Sequence, residues 1–330
     1  MADGQLRTEI QYGGETTYGT EAATTQEIGK VTNFTPTNNN NLIYSRGMGE
    51  GRDVSNTMWG NYDCGGSVEW EVHDFAFLKH WIGPQSGAGS DGDPYLLTED
   101  DIVGVTTNDI QAFSLEANYQ NTSSDDTDTY TGCVGNSFTL NGSIGSVLTC
   151  SADFVAQKVT SSTTGTVYTP VTTNPWIMVQ STIKWGSAPT TVAGIQSFSI
   201  SYANNLIVNR SATSRFISIP VAGLRDYKFT LLVKMESAIA TTLRDDFYGQ
   251  SNIPIAGTAD ANPTANLEFK IEFTEGSSSA DRNAYVWLDQ CSIDDIGKPV
   301  AIGGELVVLE VSGTAKTGRS NAPISWWTVA

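Results

Sequence analysis

Two histidines, four cysteines and two knots of aspartate are the residues of this chain whose types and spacing could carry chemistry. His73 and His80 flank one amphipathic segment, and a Ser-His-Asp or Cys-His relay would have to use one of them. No G-x-S-x-G nucleophile elbow accompanies them, so both read as surface positions on a helix. Cys64, Cys133, Cys150 and Cys291 are scattered without a C-x-x-C pair, which argues against a zinc site and a thioredoxin-type motif and reads as buried free thiols. Asp91-Gly92-Asp93 and Asp125-Asp126-Thr127-Asp128 offer the loop carboxylates that calcium prefers, but neither grows into a twelve-residue loop closed by Glu. Solvated loop tips are the simpler reading, because aspartate initiates turns by bonding its own backbone. Nothing singles out a carboxylate pair for glycoside hydrolysis. The expectation is a protein without catalytic residues, metal or cofactor.

These groups sit in a chain that is poor in charge yet strongly acidic. Charged residues make up 16 % of its 330 positions, with a net charge of −18. Only 18 Lys and Arg are available, too few for the basic footprint that phosphate neutralisation demands, so tight DNA or RNA binding is not expected. The surface must instead be rich in Thr, Ser, Asn and Gly, which suits strands and loops. The N-terminus has no apolar stretch resembling a signal peptide, and no run of about 18 apolar residues follows. Synthesis in a host cytoplasm without membrane insertion is the corresponding expectation.

The elements that position the candidate groups are mostly strands. Ile28 to Thr35 and Asn41 to Ser45 read as a strand pair around a polar turn, Thr35 to Asn40, followed by a long loop from Arg46 to Asp63. Ser67 to Val72 alternates as a half-buried strand. Asp74 then caps a short helix with Phe77, Leu78, Trp81 and Ile82 on one face and Gly83 as its stop. The order recurs later: a strand from Tyr227 to Val233, a cap at Ser237, Ile239, Leu243 and Phe247 on one helical face, and Gly249. Strands at Gln111 to Tyr119, Tyr130 to Leu140 and Ser146 to Val159 have counterparts at Asn266 to Phe273, Ala284 to Ile293 and Gly304 to Ser312. The glycine-rich opening, Tyr12 to Thr20, reads as an arm that wraps a neighbour or the domain surface, with no counterpart in the second half.

Sequence identity supports the recurrence. Asn40-Asn41-Leu42-Ile43-Tyr44-Ser45-Arg46 returns as Asn204-Asn205-Leu206-Ile207-Val208-Asn209-Arg210, and Cys133 and Gly145 keep their spacing in Cys291 and Gly303. A period near half the chain is too long for a solenoid and reads as a duplicated domain. The expected domains are 1–165 and 166–330, joined by the polar Thr160 to Thr166 with Pro170 and Pro175 beyond it. The fold class is mainly β: two tandem β-sandwich or barrel domains, each with one flanking helix and a long loop.

Taken in order, several segments resemble the major tail tube proteins of long-tailed viruses of bacteria and archaea. The likeness is carried by Gly14 to Thr20, the strand leading through Leu42 to Arg46, the step from Val68 to Trp81, and the paired strands Tyr130 to Thr139 and Val147 to Val155. It implies a structural virion protein located in the tail, whose rings stack into a conduit for viral DNA. Two domains per chain then imply homotrimeric rings with pseudo-sixfold symmetry, as in a siphovirus-type tube. Implied partners are further copies of the chain, a tape measure protein and tail-tip and terminator proteins, with DNA passing the lumen without specific binding. The family's stacking loop falls at Ser45 to Asp63 and Asn209 to Gly223, so Arg46, Met48, Arg52 and Trp59, with Arg210, Arg215 and Phe216, are the implied inter-ring contacts. The competing class is a carbohydrate-binding or adhesive β-sandwich, suggested by eight Trp and twelve Tyr, although most of these fall at core positions.

Overall fold

Period-two alternation builds the architecture. Along Asp63–Glu71 the buried Cys64, Val68 and Trp70 interleave with Ser67, Glu69 and Glu71 on the opposite face, the mark of a strand with one face in a core. The computed structural model describes residues 7–46, 54, 56–120, 126–168, 170–234, 238–248, 267–276, 281–297, 308–315 and 323–327. Across these residues the chain is mainly β.

The first half opens with β1 (Arg7–Gly14), β2 (Gln26–Glu27), β3 (Lys30–Asn39), β4 (Ile43–Ser45), β5 (Asn56–Met58) and β6 (Asp63–Glu71). A 3₁₀ turn at Ala76–Leu78 runs into α1 (Lys79–Ile82), which ends at Gly83, whose φ of 141° and ψ of −165° are open to glycine and rare for other residues. Four short strands follow, β7 (Gln85–Ser86), β8 (Tyr95–Leu97), β9 (Val103–Gly104) and β10 (Ile110–Gln111). Then come β11 (Phe113–Gln120), β12 (Asp126–Ser143), β13 (Thr149–Ala156) and β14 (Lys158–Ser162). The second half holds β15 (Ser181–Gly186), β16 (Thr190–Thr191), β17 (Ile195–Ala203), β18 (Asp226–Lys234) and α2 (Ala238–Tyr248). It closes with β19 (Leu267–Thr274), β20 (Asn283–Ile296), β21 (Val308–Ala315) and β22 (Ile324–Trp327).

Eight strands form one continuous antiparallel layer in the order β3, β6, β13, β12, β17, β18, β21, β20. It passes from the first half to the second at β12 and β17, where Ser137 faces Ala203 and Ser143 faces Ser197. Behind it, the start of β12 pairs with β11 and β14, and β11 pairs with β1. The start of β20 likewise pairs with β19 and β22, and β19 pairs with β15. β12 and β20 thus serve both layers, bending at Gly132 and Gln290, whose φ values are 64° and 55°. The core lies between the layers. In it the Trp81 indole from α1 donates to the carbonyls of Ser137 and Asp153, each at 3.1 Å.

The two halves share their irregularities as well as their strands. β3–β6 shifts register between Val31 and Asn33, as β17–β18 does between Ile195 and Ser197. β11–β12 shifts between Phe113 and Leu115, and β19–β20 between Leu267 and Phe269. β12–β13 shifts between Gly135 and Ser137, and β20–β21 between Ile293 and Asp295. A bulge is a local feature rather than a by-product of pairing, so three in the same order tie the halves strand by strand.

Several expectations are corrected. The opening is no arm: residues 7–14 are a sheet strand, and Glu15 is fully buried, accepting from Gly19 N (2.8 Å), Ser114 Oγ (2.8 Å) and Gly132 N (2.7 Å). Its counterpart exists after all, since β15 and β16 pair as β1 and β2 do, with Trp185 beside Phe269 where Tyr12 stands beside Leu115. Thr35 to Asn39 continues β3 instead of turning; Pro36 is tolerated because β3 lies at the layer's edge. Both histidines are buried, His73 at 5 % and His80 at 0 % exposure. The His80 ring Nδ1 lies 2.6 Å from the Gln111 carbonyl, and burial pushes its pKa down to about 3. Thr166, at the end of the expected linker, is tied to β11 through Glu116, with its N and Oγ1 at 2.7 and 2.9 Å from the carboxylate. The cysteines are free and buried, as expected.

Candidate assembly interface

The repeated Asn-Asn segments lie at the bases of two hairpins. In the first, β4 and β5 pair Ile43 with Met58 and Ser45 with Asn56. In the second, single bridges join Ile207 to Val221 and Arg210 to Ile217. Asn41 and Asn205 both adopt positive φ, and their side-chain amides donate to the carbonyls of Asn61 (3.0 Å) and Leu224 (2.7 Å). Gly60 and Gly223 precede those acceptors, and each packs so closely that a Cβ would strike the Asn41 or Asn205 carbonyl oxygen. The hairpins therefore differ in length by one residue between these marks, less than the sequence suggests.

Among the described residues, twelve of the sixteen large apolar side chains that are exposed lie between residues 42 and 59 or 207 and 224, among them Ile43, Tyr44, Met58, Ile207 and Val221. Such concentration on one kind of element marks an interaction surface.

The candidate residues divide. Met48 and Arg52 lie outside the described residues. Arg46 is exposed at the end of β4 and has no ion-pair partner among the described residues. Trp59 is 67 % exposed, yet its ring lies 4.9 Å from the Arg215 guanidinium, which also faces the rings of Tyr62 (5.4 Å) and Phe216 (5.9 Å). Arg215 donates to Asn40 Oδ1, and Tyr62 N donates to the Arg215 carbonyl (3.0 Å). Arg210 pairs with the Asp63 carboxylate and donates to the Tyr62 carbonyl (3.3 Å). The structure thus joins Trp59, Arg210, Arg215 and Phe216 in one cluster where the second hairpin sits on the base of the first. Sequence reasoning missed Asn40, Tyr62 and Asp63; the repeated Asn-Asn pair was the signal for the first.

Beneath this cluster the β12–β17 seam is sealed by a buried polar net. Asn204 Nδ2 donates to the carbonyls of Trp81 (2.8 Å) and Gly135 (2.9 Å), and the Tyr202 hydroxyl reaches Trp81 O (2.9 Å) and Asn204 Oδ1 (2.5 Å). On the far side, Arg225 pairs with Glu99 (2.9 Å) and Asp101 (2.6 Å).

The outer face of the eight-stranded layer is polar. One cross-strand row runs Glu69, Ser151, Thr139, Ser201, Lys228, Thr314, Ser292. The carboxylates of Glu69, Glu71, Asp153, Asp295 and Glu310 outnumber the ammonium groups of Lys30, Lys228 and Lys234 there. Most large aromatics, including Trp70, Trp81, Trp176, Trp185 and Trp326, are in the core and form no platform for sugar rings.

Among the described residues, β3 and the end of β20 each pair on one side only, leaving the layer open at both ends. Open edges together with apolar hairpins define a self-assembling structural protein. The profile of the Phage tail tube protein family matches residues 5–315, and the chain belongs to that family. No curated protein matches it.

Proposed function

We propose that this tail tube protein carries the tube domain twice, in residues 1–165 and 166–330, and closes as trimeric rings of pseudo-sixfold symmetry that stack into a DNA conduit. The β12–β17 seam carries the reading: one half presents its β12 edge to the other half's β17, while β3 and β20, the strands that correspond to β17 and β12, remain open at the ends of the layer. Repeating the seam between chains consumes both edges, which removes the aggregation hazard they pose to a free subunit. The acidic, hydroxyl-rich outer face then lines the lumen, where it repels phosphate and lets DNA slide without specific binding. The exposed apolar residues of the two hairpins are the contacts between stacked rings. Incorporation into the virion tail after synthesis in the host cytoplasm, and contact with tape measure, tail-tip and terminator proteins, complete the reading.

Electron microscopy of the purified protein at rising concentration and salt tests it. Stacked hollow rings of three chains and six similar lobes are expected. Rings of six chains overturn the trimeric, pseudo-sixfold arrangement, and a persistent monomer that binds glycans favours the carbohydrate-binding alternative.

A further inference from the structure

The seam inside the chain is a residue-level template for one that the chain makes with its next copy. The inference rests on the ring reading above. Three correspondences fix the alignment. The bulge at Val31/Asn33 matches that at Ile195/Ser197, so β3 stands for β17; the bulge at Gly135/Ser137 matches that at Ile293/Asp295, so the end of β20 stands for the end of β12. Asp63 and Asp226 are the first residues of β6 and β18, and Arg46 and Arg210 close the repeated segment.

Inside the chain, Ser137 faces Ala203 and Arg210 holds Asp63. Transferring both contacts gives a register and an ion pair between copies. We propose that Asp295 of one chain faces Asn39 of the next across a new antiparallel ladder, and that Arg46 of that next chain pairs with Asp226 of the first. Both sides of the contact are available for pairing. β3 is exposed along almost its whole length, whereas its counterpart β17, which is paired on both sides, is not. Asp295 and Arg46 are exposed, and Asp226 is partly exposed, its one ion pair among the described residues being with the neighbouring Lys228 at 2.8 Å. The assignment makes Arg46 a contact within the ring, in place of the contact between rings that the family resemblance implies.

The Asn39→Cys/Asp295→Cys double variant tests the register. The two positions lie at opposite edges of an eight-stranded layer, ~33 Å apart at the usual strand spacing, so a disulfide between them must join different chains. Oxidation of assembled protein should give linked dimers and trimers on a denaturing gel, with three chains as the limit, and neither single variant should do so. Tubes that form normally but fail to cross-link overturn the register while leaving the tube reading intact. A wild-type chain that never assembles removes both.

Charge reversal tests the ion pair without touching the ladder. Arg46→Glu and Asp226→Lys should each raise the critical concentration for assembly roughly tenfold, and the combined variant should recover most of it. Equal or greater loss in the combined variant overturns the pairing.

Discussion

Asn41 and Asn205 occupy the same unusual backbone state, with φ of 42° and 48°, and each caps its hairpin by donating its amide to the residue after a glycine. Asparagine tolerates this region because its short polar side chain bonds locally; a β-branched residue does not. The expected result is that Asn41→Gly and Asn205→Gly, which lose the amide bond but keep the backbone state, cost about 0.5–1.5 kcal/mol, whereas Asn41→Val and Asn205→Val add backbone strain of about 1–3 kcal/mol each. Gly60→Ala and Gly223→Ala should cost a similar amount, since the new Cβ meets a carbonyl oxygen at 1.9 or 2.3 Å. Chemical denaturation of the unassembled chain measures all six.

Asn204 serves two buried carbonyls. Asn204→Leu leaves Trp81 O with the Tyr202 hydroxyl alone and costs Gly135 O the amide. A loss of about 1–3 kcal/mol is expected, with faster amide exchange concentrated along 137–143 and 197–203. Uniform acceleration across both halves would contradict a local role at the seam.

Arg215 stacks on three rings at a half-buried site, with Tyr62 buried and Trp59 exposed, so Arg215→Ala should lower stability by about 1–2 kcal/mol. Its effect should appear also as faster proteolysis between residues 207 and 221, because the second hairpin loses its hold on Asn40 and Trp59.

His80 links stability to pH. Burial depresses its pKa from 6.5 to about 3, so between those values the unfolded chain binds a proton that the folded chain refuses. Stability that is fully present above about pH 6.5 is therefore lost as pH falls toward 3. In a His80→Gln variant the slope of Tm against pH should be shallower over that window than in wild type. Parallel slopes would show that other groups govern acid unfolding.

Strand positions were legible because one face of nearly every strand is buried, which imposes alternation on Val68, Trp70 and Val72 or on Phe229, Leu231 and Val233. The helices at Phe77 and Leu243 were legible for the equivalent reason at helical period. What escaped was set by partners distant in sequence. Thr35 to Asn39 has the composition of a turn, yet its pairing with β6 keeps it extended. β15 shares no motif with the glycine-rich opening, and only its register against β19 reveals the correspondence. His73 and His80 carry polar side chains in an amphipathic pattern, and packing of the His80 ring against Tyr12, Phe77 and Phe113 overrode that polarity. In the candidate interface, Trp59 and the arginines were legible as loop residues with the chemistry of contacts. That they grip Asn40, Tyr62 and Asp63 of the same chain was not, since it depends on how one hairpin lies against the other.

The ladder between β12 and β17 forms whenever a single chain folds, so it does not weaken on dilution. In the proposed ring, half of the six lateral joints are unimolecular events with a high effective concentration, and only three depend on encounter between molecules. Ring closure is then a three-body problem in place of a six-body one. Initiation at low subunit abundance becomes correspondingly less steep in concentration, and no ring can contain a missing half.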